Sequence, residues 1–271
     1  MIIKNLEDLN NISYNSTSEI LSFIEQENKC KLCLENNKIL CSNGYKFQII
    51  IDDFNNYKIY YYKCNKFFTN ENKILINKIY EQSNLTDKEK EKTFNNFIVN
   101  NNNKEIYNKI KSFAESNKIY NFILAGKSGI GKTHLALAFL NYKINNFLFN
   151  SLFYNFSDLF NILKYSFNSN SFYETLNFIK NIKLLIIDDL GDIKITEFIF
   201  EYFFNIIDFR YRKNEQLITI ITTNFNKPSE LINYFGDSGI KIMSRLCEMS
   251  FWFSWVDNDF RLNDFKANEK K

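Results

Sequence analysis

Three apolar runs end in polar residues, and they set the plan of the chain. Tyr120–Ala125 leads into a glycine-rich stretch, Lys183–Ile187 into Asp188 and Asp189, and Leu217–Thr223 into Asn224. Continuous runs of Leu, Ile and Val-like residues predict strands buried on both faces, as in a parallel sheet. Between them the apolar period becomes helical. Ile106, Ile110 and Phe113 share a side over Glu105–Asn117, and Phe198, Ile199, Tyr202, Phe203, Ile206 and Phe209 recur over Ile195–Asn214. His134–Leu140 is rich in Leu and Ala and predicts a helix. Asn146–Phe156 predicts a second strand, and Ser157-Asp158 can cap a helix over Leu159–Phe167. Ser171–Asn181 predicts another helix, Pro228 a loop, and Met249–Val256 a last strand. Strands alternating with helices predict an α/β domain built on a parallel sheet.

The first 90 residues follow another pattern. Residues 1–29 read as helical, with Ile20, Phe23 and Ile24 at helical spacing. Tyr45–Ile51 and Tyr57–Lys63 are β-prone and joined by Asp52–Asn56, which predicts a hairpin. That hairpin brings Cys64 back beside Gly44 and so towards Cys41, while Cys30 and Cys33 stand on one tight turn. Four thiolates converging in this way suit tetrahedral Zn²⁺. The alternative is four small buried residues. A helical patch at Ile74–Tyr80 and the sign-alternating Asp87–Lys92 follow. The sequence thus predicts a small domain and linker over residues 1–90 and a second domain over 91–271.

The glycine-rich stretch carries the chemistry. Gly126-Lys127-Ser128-Gly129-Ile130-Gly131-Lys132-Thr133 has the spacing G-x-x-x-x-G-K-[ST] between a predicted strand and a predicted helix, the setting of a phosphate-binding loop. Three of the chain's 7 glycines fall here at the required positions, which weighs against a chance turn. Glycine lets successive N–H groups turn inward on phosphate, and the helix start adds unpaired N–H groups and a positive dipole end. Lys132 would reach the β- and γ-phosphates, and the Thr133 hydroxyl would hold Mg²⁺. Asp188 would ligate the same ion directly or through water, and Asp189 would orient or deprotonate the attacking water. The alternative for the pair is an acidic turn after an ordinary strand. Ligands bind at strand carboxyl ends in open α/β sheets, so Asn224 joins this group as a residue that positions water or senses phosphate.

Composition narrows the class. With 45% hydrophobic and 17% aromatic residues the chain suits a globular fold. A net charge of +3 is too small to imply nucleic acid by itself. Met1–Asn10 lacks a basic stretch followed by an apolar core, so no signal peptide is expected, and no run approaches the ~18 apolar residues of a membrane helix. A cytoplasmic protein is expected, whose five cysteines are reduced or metal-bound rather than paired.

Taken in order, Gly126–Thr133 with His134-Leu135-Ala136, Leu185–Gly191, Arg210-Tyr211, Thr222-Thr223-Asn224 and Ser244-Arg245-Leu246 resemble the AAA+ ATPases of the DnaC/DnaI/IstB group. Cys30, Cys33, Cys41, Gly44-Tyr45 and Cys64 resemble the zinc-bearing N-terminal domain of DnaI-type bacterial helicase loaders. The resemblance implies an AAA+ P-loop domain that uses ATP and Mg²⁺, preceded by a Zn²⁺ domain. It implies Asp188 and Asp189 as the Walker B pair, Asn224 as sensor 1, and Arg245 as an arginine finger reaching a neighbouring subunit's nucleotide. It also implies a loader that binds a hexameric replicative helicase, self-associates through its ATPase domain and grips single-stranded DNA. Lys164, Lys180 and Lys183, with the aromatics of Leu159–Lys183, are the candidate DNA contacts. The chain departs from the wider AAA+ pattern twice. Asp189 stands where Glu is usual, which implies slow hydrolysis stimulated by assembly or DNA, and little chain follows Val256, which implies no helical lid. Three other functions fit the same motifs: an IstB-like transposition helper, a nucleotide-gated DNA-binding adaptor with negligible hydrolysis, and a DNA binder that reads DNA through its cysteine domain.

Overall fold

The computed structural model describes residues 2–3, 25–26, 28–30, 33, 45–51, 57–169 and 171–260. The chain divides into Met1–Leu75 and Ile76–Lys271. In the first unit, β1 (Ile2–Ile3), β2 (Tyr45–Ile51) and β3 (Tyr57–Lys63) form an antiparallel sheet in that order. The expected hairpin is present, with Tyr45 opposite Lys63 and Ile51 opposite Tyr57. Ile2 and Ile3 pair with Ile50 and Ile49 instead of starting a helix; β-branched residues fit a pleated edge better than a helix. Residues 25–26 and 28–30 are helical as expected. The expected helical positions Ile20, Phe23 and Ile24, together with Cys41 and Gly44, lie outside the described residues.

A helix, α1 (Asn65–Gln82), leads into the second unit. Ile79 and Leu85 are buried there with Phe94 and Phe97, which draws residues upstream of the expected 90–91 junction into this core. The single turn α2 (Asp87–Lys90) and the helix α3 (Lys104–Glu115) precede a five-stranded sheet. Its strands are β4 (Asn121–Ala125), β5 (Ser151–Asn155), β6 (Leu184–Leu190), β7 (Ile218–Thr223) and β8 (Ser250–Ser254). They lie side by side in the order β5-β6-β7-β4-β8, every pair parallel. The helices between them are α4 (Lys132–Phe147), α5 (Phe156–Asn168), α6 (Phe172–Asn181), α7 (Glu197–Tyr211), α8 (Pro228–Phe235) and α9 (Gly239–Met249). The strand period of two divides each apolar run between two cores. Leu184, Ile186, Ile218 and Ile220 face α3 and α4, whereas Leu185, Ile187 and Ile221 face α5 to α9.

Local chemistry moved three expected boundaries. α4 continues to Phe147 and ends where Leu148 adopts a left-handed backbone, so β5 begins at Ser151 rather than at residue 146. Asn155, not Ser157 or Asp158, caps α5, its side chain accepting from the Ser157 N–H at 3.1 Å. Pro228 opens α8 rather than lying in a loop, because its fixed φ suits the first helical position.

Arg210, the start of the basic cluster that closes α7, has no exposed surface. Its guanidinium donates to the Thr219 hydroxyl at 2.8 Å and to the carbonyls of Lys180, Ile182 and Ile218 at 3.0, 2.9 and 2.6 Å. One side chain therefore ties α7 to the end of α6 and the start of β7. Burial pulls its pKa down to about 9, which leaves it charged at neutral pH.

Candidate active site

The carboxyl ends of β4, β6 and β7 bring together the residues expected from sequence. Gly126, Gly129 and Gly131 all have positive φ, and each also lies against a neighbour that a Cβ would crowd. A Cβ on Gly126 would stand 2.8 Å from the Trp255 carbonyl oxygen, and one on Gly131 would stand 3.0 Å from the Phe97 ring. Lys127, Ser128 and Ile130 complete the loop, and the Ile130 side chain is fully buried beneath it. Lys132 is buried at the start of α4. Its ammonium donates to the carbonyls of Gly126 and Lys127 at 2.7 and 2.8 Å and to Asn224 Oδ1 at 3.0 Å. Lys132 thus joins the loop to the end of β7.

The Thr133 hydroxyl lies 2.9 and 3.0 Å from the two carboxylate oxygens of Asp188. These are hard oxygen donors, side by side, and they fit Mg²⁺. Asp188 is buried, and burial pushes its carboxyl up to about 6 although the Thr222 and Thr133 hydroxyls favour the charged form.

Consecutive residues of a regular strand point to opposite faces, so Asp188 and Asp189 should diverge. A bulge changes this. Ile187 pairs with Ile221 and Leu190 with Thr223, leaving both aspartates opposite Thr222 alone. Asp189 takes a left-handed backbone with φ 54° and lines the cleft. Thr222 pins the bulge: its hydroxyl donates to Asp188 Oδ1 at 2.6 Å and accepts from the Asp189 N–H at 2.9 Å. In the sequence Thr222 stands out only as part of a motif; its two-sided role follows from the bulge, which no periodicity signals.

The cleft encloses about 330 Å³, within the usual range for small-ligand sites. The phosphate loop, Thr133 and Asp189 line one part, and Lys92, Phe97, Ile98, His134 and Phe260 line the rest. Phe260 arrives from the segment after β8. Its N–H donates to the Gly129 carbonyl at 3.1 Å, and the preceding Asp259 carboxylate packs so closely on Gly129 that a Cβ there would overlap it.

Arg245 stands elsewhere. It lies on α9, with Nε 2.7 Å from Asp208 Oδ1 on α7 and its guanidinium over the Phe204 ring. Of the lysines considered for DNA, Lys183 donates to the Gln216 carbonyl at 2.6 Å, Lys180 sits over the Phe209 ring and Lys164 over the Phe198 ring. Tyr165, Phe167 and Tyr173 nearby are exposed. In the first unit Cys33 and Cys64 are buried and Cys30 is half-buried. Among the described residues no group of three His, Cys, Asp or Glu side chains is arranged to hold a metal ion. Also among them, no helix is long and apolar enough to cross a membrane.

A family model described as IstB-like ATP binding protein matches residues 71–264, which include every strand and helix around this cleft. The chain belongs to that family. This IstB-like chain is an AAA+ ATPase. It is 25% identical over 232 residues to the replicative helicase loader DnaI of Bacillus subtilis (strain 168), covering 81% of this chain and 71% of that protein. It is 32% identical over 151 residues to a protein of insertion sequence IS232 from Bacillus thuringiensis subsp. berliner, covering 55% of this chain and 58% of that one. The crystal structure of the DnaC helicase loader shares the fold, with a TM-score of 0.57 and 23% identity over 63% of this chain and 100% of that one. AMPPCP-bound DnaA from Aquifex aeolicus follows at 0.55 and 25%, over 69% and 56%. The chain thus spans less than two thirds of the IS232 protein and of the DnaA structure.

Proposed function

We propose that this chain is an ATP-dependent loader of a replicative DNA helicase, acting with single-stranded DNA at the start of replication. One observation carries the reading past ATPase to loader. An alignment with the DnaI loader that takes in 81% of the chain cannot fit within residues 71–271, so the likeness continues into the cysteine-bearing unit. The match to the IS232 protein is short enough to fit within the ATPase unit alone.

In this reading the Gly126–Thr133 backbone wraps the triphosphate. Lys132 leaves the Gly126 and Lys127 carbonyls and Asn224 for phosphate oxygens. Thr133 and Asp188 hold Mg²⁺, which when bound neutralises charge building on the phosphates. Asp189, aimed into the cleft by the bulge, orients the attacking water and accepts its proton. Asn224, released by Lys132, holds that water in line. Asp189 is one methylene shorter than Glu, which favours slow turnover. Arg245 completes the site of a neighbouring copy, which makes turnover depend on assembly.

Cys30, Cys33, Cys41 and Cys64 hold one Zn²⁺ in the unit that docks the helicase. The hairpin register supports this, since Lys63, just before Cys64, pairs with Tyr45. Metal analysis should find about one zinc per chain; a folded, metal-free protein would end the zinc assignment.

Gel filtration of the protein with the replicative helicase of the same cell, with and without ATP, tests the function. Wild-type protein should co-elute with ATP, the Lys132→Ala variant should lose the ATP effect, and turnover should rise with helicase and single-stranded DNA. Background turnover in every mixture would leave a nucleotide-gated adaptor. The 32% identity to the IS232 protein favours one second reading, a transposition helper; co-elution with a transposase and not with the helicase would establish it.

A further inference from the structure

The segment between α2 and α3 is closed on itself before it reaches the cleft. Asn96 Oδ1 accepts from the Thr93 N–H at 2.8 Å and the Thr93 hydroxyl at 3.0 Å, while its amide donates to the Glu91 carbonyl at 2.8 Å. Those bonds fix which end of the Asn96 amide is oxygen. His134 Nε2 stands 3.1 Å from the Thr93 carbonyl and 3.0 Å from that same Asn96 oxygen. Both partners are acceptors, so Nε2 carries the proton. Two turns further along α4, the Asn141 amide donates to the Glu89 and Lys92 carbonyls at 2.9 and 2.7 Å. Two polar side chains on one face of the phosphate-loop helix therefore clasp the segment.

The clasp sets the wall that follows it. The Phe97 ring meets the His134 ring edge-on, with centroids 5.2 Å apart, stacks on Tyr107 at 5.6 Å and would crowd a Cβ on Gly131 at 3.0 Å. Ile98, next in the chain, is 63% exposed and lines the cleft. Among the described residues, Phe97, Ile98 and Phe260 are the apolar part of the lining, and the phosphate loop, Lys92, His134 and Asp189 are the polar part. A nucleotide has the same two-part character: a charged triphosphate and a flat, weakly polar base.

We infer that His134 is a positioning residue for the base of the bound nucleotide. Through Thr93 and Asn96 it holds Phe97 and Ile98 in the cleft wall against which a base would lie. Its neighbour Thr133 belongs to the phosphate side, so one helical turn sets both ends of the ligand. The inference rests on the nucleotide reading of the cleft and adds a residue that neither the loop motif nor the carboxylates supply.

Titration calorimetry with Mg-ATP and with Mg-tripolyphosphate, which lacks base and sugar, separates this role from a general effect on the loop. His134→Ala should weaken ATP about tenfold, the worth of one to two hydrogen bonds, and leave tripolyphosphate within about twofold. Asn96→Ala, on an exposed residue, should give the same split, and His134→Gln, whose amide can donate to the same oxygens, should restore most of the ATP affinity. Equal losses for both ligands, or none for either, would overturn the inference. Wild-type protein that bound neither ligand would overturn the nucleotide reading, and the clasp with it.

Discussion

Thr133 and Asp188 meet through a hydroxyl and a carboxylate whose oxygens lie 2.9 and 3.0 Å apart, in a site where burial holds the acid up to about 6. A carboxyl raised above its unfolded value near 3.9 is protonated in the folded chain while already ionised in the unfolded one. From this group, stability is fully present below about pH 4 and declines as pH rises to about 6. At neutral pH the nucleotide-free protein therefore carries an unfavourable buried charge, up to about 3 kcal/mol for a shift of this size. Asp188→Asn should raise the nucleotide-free Tm at pH 7.5, and the gain should shrink towards pH 4. The same variant should lose Mg²⁺-dependent ATP hydrolysis. Thermal melts across that range, paired with turnover, check both halves; a variant that melts lower at pH 7.5 would refute the assignment of strain to the charge.

Asp259 places a carboxylate against Gly129, on the loop proposed to receive the triphosphate. Like charges a few ångströms apart oppose each other even in water, by roughly 1 kcal/mol. Asp259→Ala should tighten ATP binding several-fold, and Asp259→Asn should do so nearly as well. Weaker binding in the alanine variant would instead make Asp259 a supporting residue of the site.

Arg245 and Asp208 form a half-buried pair outside the chain's own cleft. Arg245→Ala should leave ATP affinity unchanged and lower the turnover measured with helicase and DNA. Asp208→Asn removes the carboxylate partner but keeps the guanidinium and its bond to the Lys241 carbonyl. Preserved assembly-dependent turnover in that variant marks a finger acting in trans; loss in both variants marks a structural pair.

Arg210 donates to three carbonyls and a hydroxyl with no exposed surface. Arg210→Ala would orphan those acceptors and open a cavity, costing about 3–5 kcal/mol. Arg210→Lys should recover part of this, because an ammonium cannot reach four acceptors in a fork. Urea unfolding of both variants measures the difference; a shift below about 1 kcal/mol in the alanine variant would remove the role.

The sheet was legible because each central strand announces itself locally. Lys183–Ile187, Leu217–Thr223 and Tyr120–Ala125 are apolar for a whole strand and end in groups the cleft uses. The phosphate loop was legible because spacing and setting are both local. What escaped was whatever depends on distant partners. The bulge that turns Asp189 inward is fixed by Thr222, on another strand. Arg210 reads as an ordinary cation at a helix end, and only α6 and β7 make it a buried brace. His134 looks like a filler after Thr133 until the Thr93–Asn96 turn is folded over it. The α5 cap is Asn155, two positions before the expected Ser157, and Pro228 opens a helix where a loop was expected; neighbouring polar residues cap nearly equally well, and proline suits both a loop and a first helical turn.

The attachment of Lys132 to Gly126, Lys127 and Asn224 has a thermodynamic consequence. On the proposed role of Lys132, ligand entry would be an exchange: these three hydrogen bonds would give way to bonds with phosphate, so much of the contact enthalpy would cancel. Net affinity is then a small difference between two well-bonded states. In that reading any partner that loosens Asn224 shifts the difference, and nucleotide affinity becomes adjustable from the carboxyl end of β7 without a change in Lys132 itself.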